Sequence, residues 1–190
     1  EDGVRFMQGS VAAPEVRPSL LVGVLAFTGI VGALTQTLVV PLIGQLPVML
    51  DTTASNASWV ITITLLTGAV ATPVIGRLGD TYGKRRMLLI CTIPLILGAV
   101  MCALSSSLLP MLLGRGLQGL GVGLIPLGIS LLRDVLPTER LHSSIALMSA
   151  SMGIGGALGL PIAAAVAENT SWRVLFWATA ALSAVVFVLL

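Results

Sequence analysis

An all-α polytopic membrane protein, six transmembrane helices built as a 3+3 inverted repeat, is the fold class this sequence predicts. Three observations point to it. Only 9% of its 190 residues are charged and its mean hydropathy is +1.04, whereas a soluble domain carries roughly 25% charged residues. Six apolar runs, each approaching or exceeding the ~20 residues that cross ~30 Å of hydrocarbon, alternate with short polar connections. Two segments of the first half also recur in the second half at nearly the same offset.

Residues 1–18 hold Pro14, Pro18 and five charges. They read as a flexible tail, without the short apolar core and small-residue cleavage site of a signal peptide. The domain expected after it is 19–190. Its spans lie near residues 20–40, 58–75, 87–105, 108–132, 144–167 and 174–190. The stretch Asp51-Thr-Thr-Ala-Ser-Asn-Ala-Ser58, the tight turn Ser105–Ser107 and the stretch Glu168-Asn-Thr-Ser-Trp-Arg173 fall on one side. Trp59 and Trp172 sit at their edges, where amphipathic rings settle. The opposite side holds the tail, residues 76–88 and the stretch Arg133–Arg140. Eight cations (Arg5, Arg17, Arg77, Lys84, Arg85, Arg86, Arg133 and Arg140) fall there, against Arg173 alone on the other. That bias predicts a cytoplasmic N-terminus. Arg outnumbers Lys nine to one, which points to a GC-rich bacterial genome and so to a bacterial plasma membrane.

The third span holds Cys91 and Cys102 on one face, about 16 Å apart, too far to bridge. Both read as packing residues. His142, the only histidine, falls in a polar connection beside Arg140 and Glu139, where a solvated role is the default. Gly68, Ala69 and Pro73 are matched by Gly156, Ala157 and Pro161, all 88 residues on. Val39-Val-Pro-Leu42 is matched by Leu124-Ile-Pro-Leu127 at an offset of 85. The first match joins span two to span five and the second joins span one to span four, which predicts three helices repeated in opposite orientation.

Gly76-Arg-Leu-Gly-Asp-Thr-Tyr-Gly-Lys-Arg-Arg-Met-Leu88 reads as a tight basic turn between spans two and three. Its glycines allow close helix ends or positive φ. Asp80 can cap the next helix or pair with Arg77, Lys84 or Arg85. With Gly76, Leu78, Asp80, Gly83, Lys84 and Arg85 in place, the stretch resembles the signature loop of major facilitator superfamily transporters. The resemblance implies half of a major facilitator fold, alternating access, and a cytoplasmic latch at Gly76, Asp80, Gly83, Lys84 and Arg85.

Arg115 is the one charge within a span, about 10 Å along the fourth helix from Leu108. An Arg at that depth costs roughly 2.5–3.5 kcal/mol, so it should face a cavity or a partner. Snorkelling to the interface is the competing reading. Gln118 and Gly119 share its face. The run resembles the family's Arg-x-x-Gln-Gly motif, which implies proton coupling or substrate-charge recognition for Arg115 and Gln118. The fifth span resembles the Gly/Pro-rich antiporter motif of drug:proton exporters. Gly155 and Gly159 are in place, while Pro161 comes one residue late and Ala163-Ala164 replaces the closing glycine pair. Close packing of small residues accounts for much of that pattern. Thr35, Gln36, Thr64, Gln118, Ser149 and Met152 are the candidate cavity-lining residues. No span holds an obvious carboxylate: Asp51 and Glu168 lie at outer ends.

These features predict the N-terminal six-helix half of a proton-coupled exporter of drugs or metabolites. Its expected partners are a small-molecule solute, protons, the lipid bilayer and a C-terminal transmembrane half. A transporter-like receptor that binds without moving its ligand is the alternative. No nucleophile with a base, paired carboxylates or phosphate-cradling loop points to an enzyme, and nothing calls for a cofactor, a metal or nucleic acid.

Overall fold

The structure, a computed structural model, describes residues 18–190. The tail expected over 1–18 lies outside the described residues except for Pro18. Pro18 opens a helix, where a fixed φ and a missing N–H cost nothing. The helices are α1 Pro18–Thr37, α2 Leu46–Met49, α3 Ala54–Tyr82, α4 Lys84–Leu104, α5 Leu108–Leu120, α6 Leu124–Val135, α7 Thr138–Asn169 and α8 Arg173–Leu189. Short 3₁₀ turns cover Val40–Leu42 and Gly121–Gly123. Five segments are long and apolar enough to cross a bilayer: Pro18–Leu42, Ala54–Tyr82, Lys84–Leu104, Leu108–Val135 and Thr138–Asn169. A sixth apolar rod, α8, has 17 residues.

Two expectations need correction. The basic turn over 76–88 is almost wholly helical. The α3 helix continues to Tyr82, α4 starts at Lys84, and Gly83 alone makes the turn at φ 97°. A left-handed φ at one glycine reverses the chain without further loop residues. Gly79 has a different use: a Cβ there would come 2.5 Å from Leu127 Cδ1, so it admits α6. The second correction concerns the fourth span, which is two helices joined by a 3₁₀ turn. Pro126 cannot donate to Val122 and its ring crowds that carbonyl. Pro41 stands in the same relation to Thr37, where α1 stops. The proline pair at offset 85 therefore marks corresponding breaks. Pro73 and Pro161, the pair at offset 88, both lie inside continuous helices.

Packing follows the same correspondence. The α1 helix packs most heavily on α7, and α3 on α5, while α4 joins α5 and α8. Exchanging span one with four and two with five turns the first contact into the second, as an inverted repeat requires. Small residues set the approach. A Cβ on Gly155 would lie 2.6 Å from the Ile30 carbonyl oxygen, and one on Gly159 would collide with Thr37 Oγ1. On the other pair, a Cβ on Gly119 would collide with Thr67 Oγ1. Between α4 and α5, a Cβ on Gly98 would strike the Gly114 carbonyl oxygen and lie 2.9 Å from Gln118 Cγ.

The outer surface is strongly apolar, with Leu66, Val70, Ile90, Leu97 and Leu113 exposed. Buried among the helices are polar residues, including Thr28, Thr35, Thr64, Thr92, Arg115 and Gln118. Most buried hydroxyls donate to the carbonyl four residues back, as Thr28 does to Val24 and Thr92 to Leu88 at 2.8 Å. That removes their need for water without a second helix. Cys91 and Cys102 are free and buried. His142 is exposed. At the end of the bundle away from Gly83, Arg173 Nη1 donates to the Ala103 carbonyl at 2.9 Å and its guanidinium lies 5.0 Å from the Trp172 ring centre. Arg173 thus ties α8 to α4.

Candidate functional site

Arg115 is 1% exposed in the middle of the bundle. Its side chain turns inward and does not reach the interface. Nε donates to the Val60 carbonyl at 3.3 Å, and Nη1 donates to the Thr35 carbonyl at 3.1 Å and to Gln118 Oε1 at 2.7 Å. Nη2 donates to Gln36 Oε1 at 3.4 Å. One guanidinium fork therefore joins α1, α3 and α5. Thr35 is among the last four carbonyls of α1, which have no acceptor role within their own helix. The break at Pro41 leaves that carbonyl free, and the negative end of the α1 dipole faces the cation. Thr64 Oγ1 donates to the Arg115 carbonyl at 3.1 Å, which fixes the backbone beneath the guanidinium.

Among the described residues every acceptor on Arg115 is neutral, so its charge is not cancelled locally. Gln118 Nε2 is buried and has no hydrogen-bond partner among the described residues. Both groups border a cavity of about 420 Å³ between α1, α3, the α5–α6 break and α7. Its walls are otherwise largely apolar: Ile61, Leu65, Leu95, Val122, Ile125 and Met152. A largely apolar, partly open space with a few convergent polar groups has the form of a small-molecule site.

Of the candidate lining residues, Thr35, Gln36, Gln118 and Met152 do border this cavity. Two do not. Thr64 is fully buried between α3 and α5, with its hydroxyl held by Val60 and Arg115. Ser149 is exposed on α7 and outside the cavity lining, while its neighbour Met148 packs into the core. Gly155 and Gly159 are buried against α1, while Pro161 lies outside the cavity lining.

The Gly83 end holds a second charged cluster. Lys84 Nζ pairs with Asp134 Oδ2 at 2.6 Å and lies 3.6 Å from Asp80 Oδ1. It also reaches the Ser130 carbonyl at 3.5 Å. Arg85 Nε donates to the Leu190 carbonyl at 2.9 Å. Thus Lys84, joining α4 to α6, is the centre of this cluster, and Asp80 is its outlying member. Gly76, Asp80 and Ser130 line a small cavity of about 90 Å³ between α3 and α6. Sequence reasoning missed Asp134. It is the only acid in the cation-bearing connection before Pro137, and that isolation was the available signal.

The profile of the Major Facilitator Superfamily matches residues 25–190. An MFS-type transporter of Mycobacterium tuberculosis is 32% identical over 170 residues, covering 89% of this chain and 24% of the relative. Multidrug resistance protein 3 of Bacillus subtilis is 25% identical, covering 83% and 30%. The vacuolar membrane amino acid uptake transporter fnx2 of Schizosaccharomyces pombe is 26% identical, covering 94% and 30%. In architecture the chain is similar to the human organic anion transporter MFSD10, with a TM-score of 0.73 at 16% identity over 91% of this chain and 46% of that one. The chain spans about a quarter to a third of the length of these sequence relatives.

Proposed function

The chain belongs to the major facilitator superfamily of multi-pass membrane proteins, and on that footing we propose that it is the N-terminal half of a secondary active transporter of small organic molecules. The observation that carries this reading is the cavity wall at Arg115 and Gln118. A buried, locally uncancelled cation stands beside a buried amide N–H with nothing to bond. Such donors are costly to leave unmet. A solute with an apolar body and a carboxylate or carbonyl group meets both requirements: its body fills the apolar walls and its oxygen accepts from Gln118 Nε2.

The family supplies a carrier and not an enzyme. The direction is export, supported by relatives named for multidrug resistance. The setting is a bacterial plasma membrane with the N-terminus and the Gly83 turn in the cytoplasm, supported by the cation bias of the connections. There the Lys84–Asp134–Asp80 cluster, with Gly76, Gly83 and Arg85, serves as a latch between helix ends that opens and closes as the halves rock. Gly155 and Gly159 let α7 slide closely on α1. Protons drive the cycle. The cavity lining holds no carboxylate, so the titrating acid belongs to an edge position such as Asp51 or Glu168 or to the C-terminal half.

Proteoliposomes of the full-length protein test the reading. An imposed proton gradient is expected to accelerate efflux of apolar organic acids or amides, and Gln118→Ala is expected to raise the KM for the carbonyl-bearing solutes selectively. Binding of such a solute with no flux in either direction would favour the receptor alternative.

A further inference from the structure

The outward face of α3 carries a groove that the transport cycle does not use. Toward the Gly83 end it opens as a space of about 570 Å³, walled by Val70 and Val74 of α3 and by Ile90 and Pro94 of α4. Toward the other end it continues as a space of about 510 Å³ beside Ile63, Met101 and Leu113. Thr67 and Leu120 border both spaces, so the two form one furrow with a waist. Thr67 donates its hydroxyl to the Ile63 carbonyl at 2.8 Å, which leaves the waist apolar. From Ile63 to Ile75 the furrow runs twelve residues, about 18 Å at the rise of an α-helix. That is the length of one extended fatty-acyl chain.

The Gly83 end of the furrow is cationic. Arg77 follows Val70 and Val74 at seven and three residues, and Arg86 precedes Ile90 and Pro94 at four and eight, so each continues its own wall of the furrow by one turn. Both are exposed. Among the described residues neither side chain has an ion-pair or hydrogen-bond partner, whereas the intervening Lys84 and Arg85 are both engaged. The geometry points to a binding site for one anionic phospholipid, its acyl chain in the furrow and its phosphate between Arg77 and Arg86. Charge complementarity selects this occupant over a zwitterionic neighbour. A phosphate accepts the planar fork of each Arg, and basic residues at the end of a span draw anionic headgroups.

Native mass spectrometry of the full-length protein, offered equal amounts of phosphatidylglycerol and phosphatidylcholine with the same acyl chains, tests the site. Wild type is expected to retain phosphatidylglycerol over phosphatidylcholine by about tenfold. Arg77→Gln/Arg86→Gln abolishes that preference, and Arg133→Gln leaves it intact. Val70→Trp, at a position 63% exposed, fills the furrow and releases the lipid although both arginines remain. Equal retention of the two lipids by wild type, or an unchanged preference in the double variant, overturns the proposal. So does full retention by Val70→Trp, which would mean a headgroup contact without the furrow. Displacement by inorganic phosphate would assign the arginines to a soluble anion. Retention of neither lipid by wild type would mean that another part of the full-length protein covers the furrow. Either result excludes the lipid.

Discussion

Of the cations that tie helices together in this chain, Arg115 and Lys84 differ in nearly every respect of their surroundings. Arg115 lies in the middle of the bundle, 1% exposed, and spends its donors on two backbone carbonyls and two glutamine oxygens. Lys84 lies at the Gly83 end, paired with carboxylates that are 55% and 70% exposed. Neutral acceptors among packed helices hold the first in one geometry and leave its charge available. Solvated carboxylates cancel the second but hold it weakly, because water and salt compete for each partner. A fixed charge suits recognition, and a weak, exchangeable pair suits a latch.

The largest effect is expected at Arg115. Arg115→Ala strips donors from four neutral acceptors, at about 1–3 kcal/mol of stability for each buried acceptor left unsatisfied, and should abolish flux. Arg115→Lys keeps the charge but cannot span α1, α3 and α5 with one fork, so flux should fall sharply with less loss of stability. Denaturant titration and proteoliposome flux separate the two. Flux equal to wild type in the Lys variant would reduce Arg115 to a generic cation and erase its contrast with Lys84.

Next in size is Gly98→Ala. Its Cβ would press on the Gly114 carbonyl oxygen and on the Gln118 backbone N at 2.9 Å, both of which lack room to move. Overpacking of that kind costs about 1–3 kcal/mol. Gly116→Ala, whose Cβ would sit 3.6 Å from Ile63 Cγ1, should stay within about 0.5 kcal/mol of wild type. Thermal unfolding of the two variants measures how closely the centre is packed.

At the Gly83 end the effects should be smaller in stability and visible in flux. Asp134→Asn removes the 2.6 Å partner of Lys84, and Asp80→Asn only the one at 3.6 Å. Stability should change by no more than about 1 kcal/mol in either. Flux should fall in both and further for Asp134→Asn, and the deficit should shrink when salt is raised to about 1 M, where the Debye length falls to about 3 Å. An Asp80→Asn defect deeper than that of Asp134→Asn would move the centre of the latch back to α3. Ser149→Ala, exposed and away from the cavity, should leave flux and KM unchanged.

Sequence carried much of the fold because the bilayer constrains it so tightly. Spans must be apolar and near twenty residues, and backbone groups in hydrocarbon must bond within a helix. The runs around Leu20, Ser58, Met87, Leu108, Ser144 and Val174 therefore fell within a few residues of the helices. Where helix continued into water the same signal failed, and Gly76–Tyr82 read as turn. Once α3 leaves the hydrocarbon, polarity no longer separates helix from loop, and only Gly83 needed a backbone that other residues resist. The fourth span had a readable break in Pro126, but its apolar content masked it.

The charged residue in a span was likewise legible by itself. Arg115 violates the composition of its surroundings, so its need for partners follows from desolvation alone. Which partners it takes was not legible. The Thr35 and Val60 carbonyls are anonymous in sequence, because every residue has one, and only the end of α1 at Pro41 and the crossing of α3 over α5 bring those two within reach. Asp134 and Lys84, fifty residues apart, meet for the same reason. Ser149 and Thr64 carried hydroxyls on helices that face the cavity, yet helix rotation turned one outward and close packing sealed the other. Composition and period thus determined what kind of residue had to be satisfied. Rotation, crossing and helix breaks, which arise only when side chains from distant segments pack, decided what satisfied it.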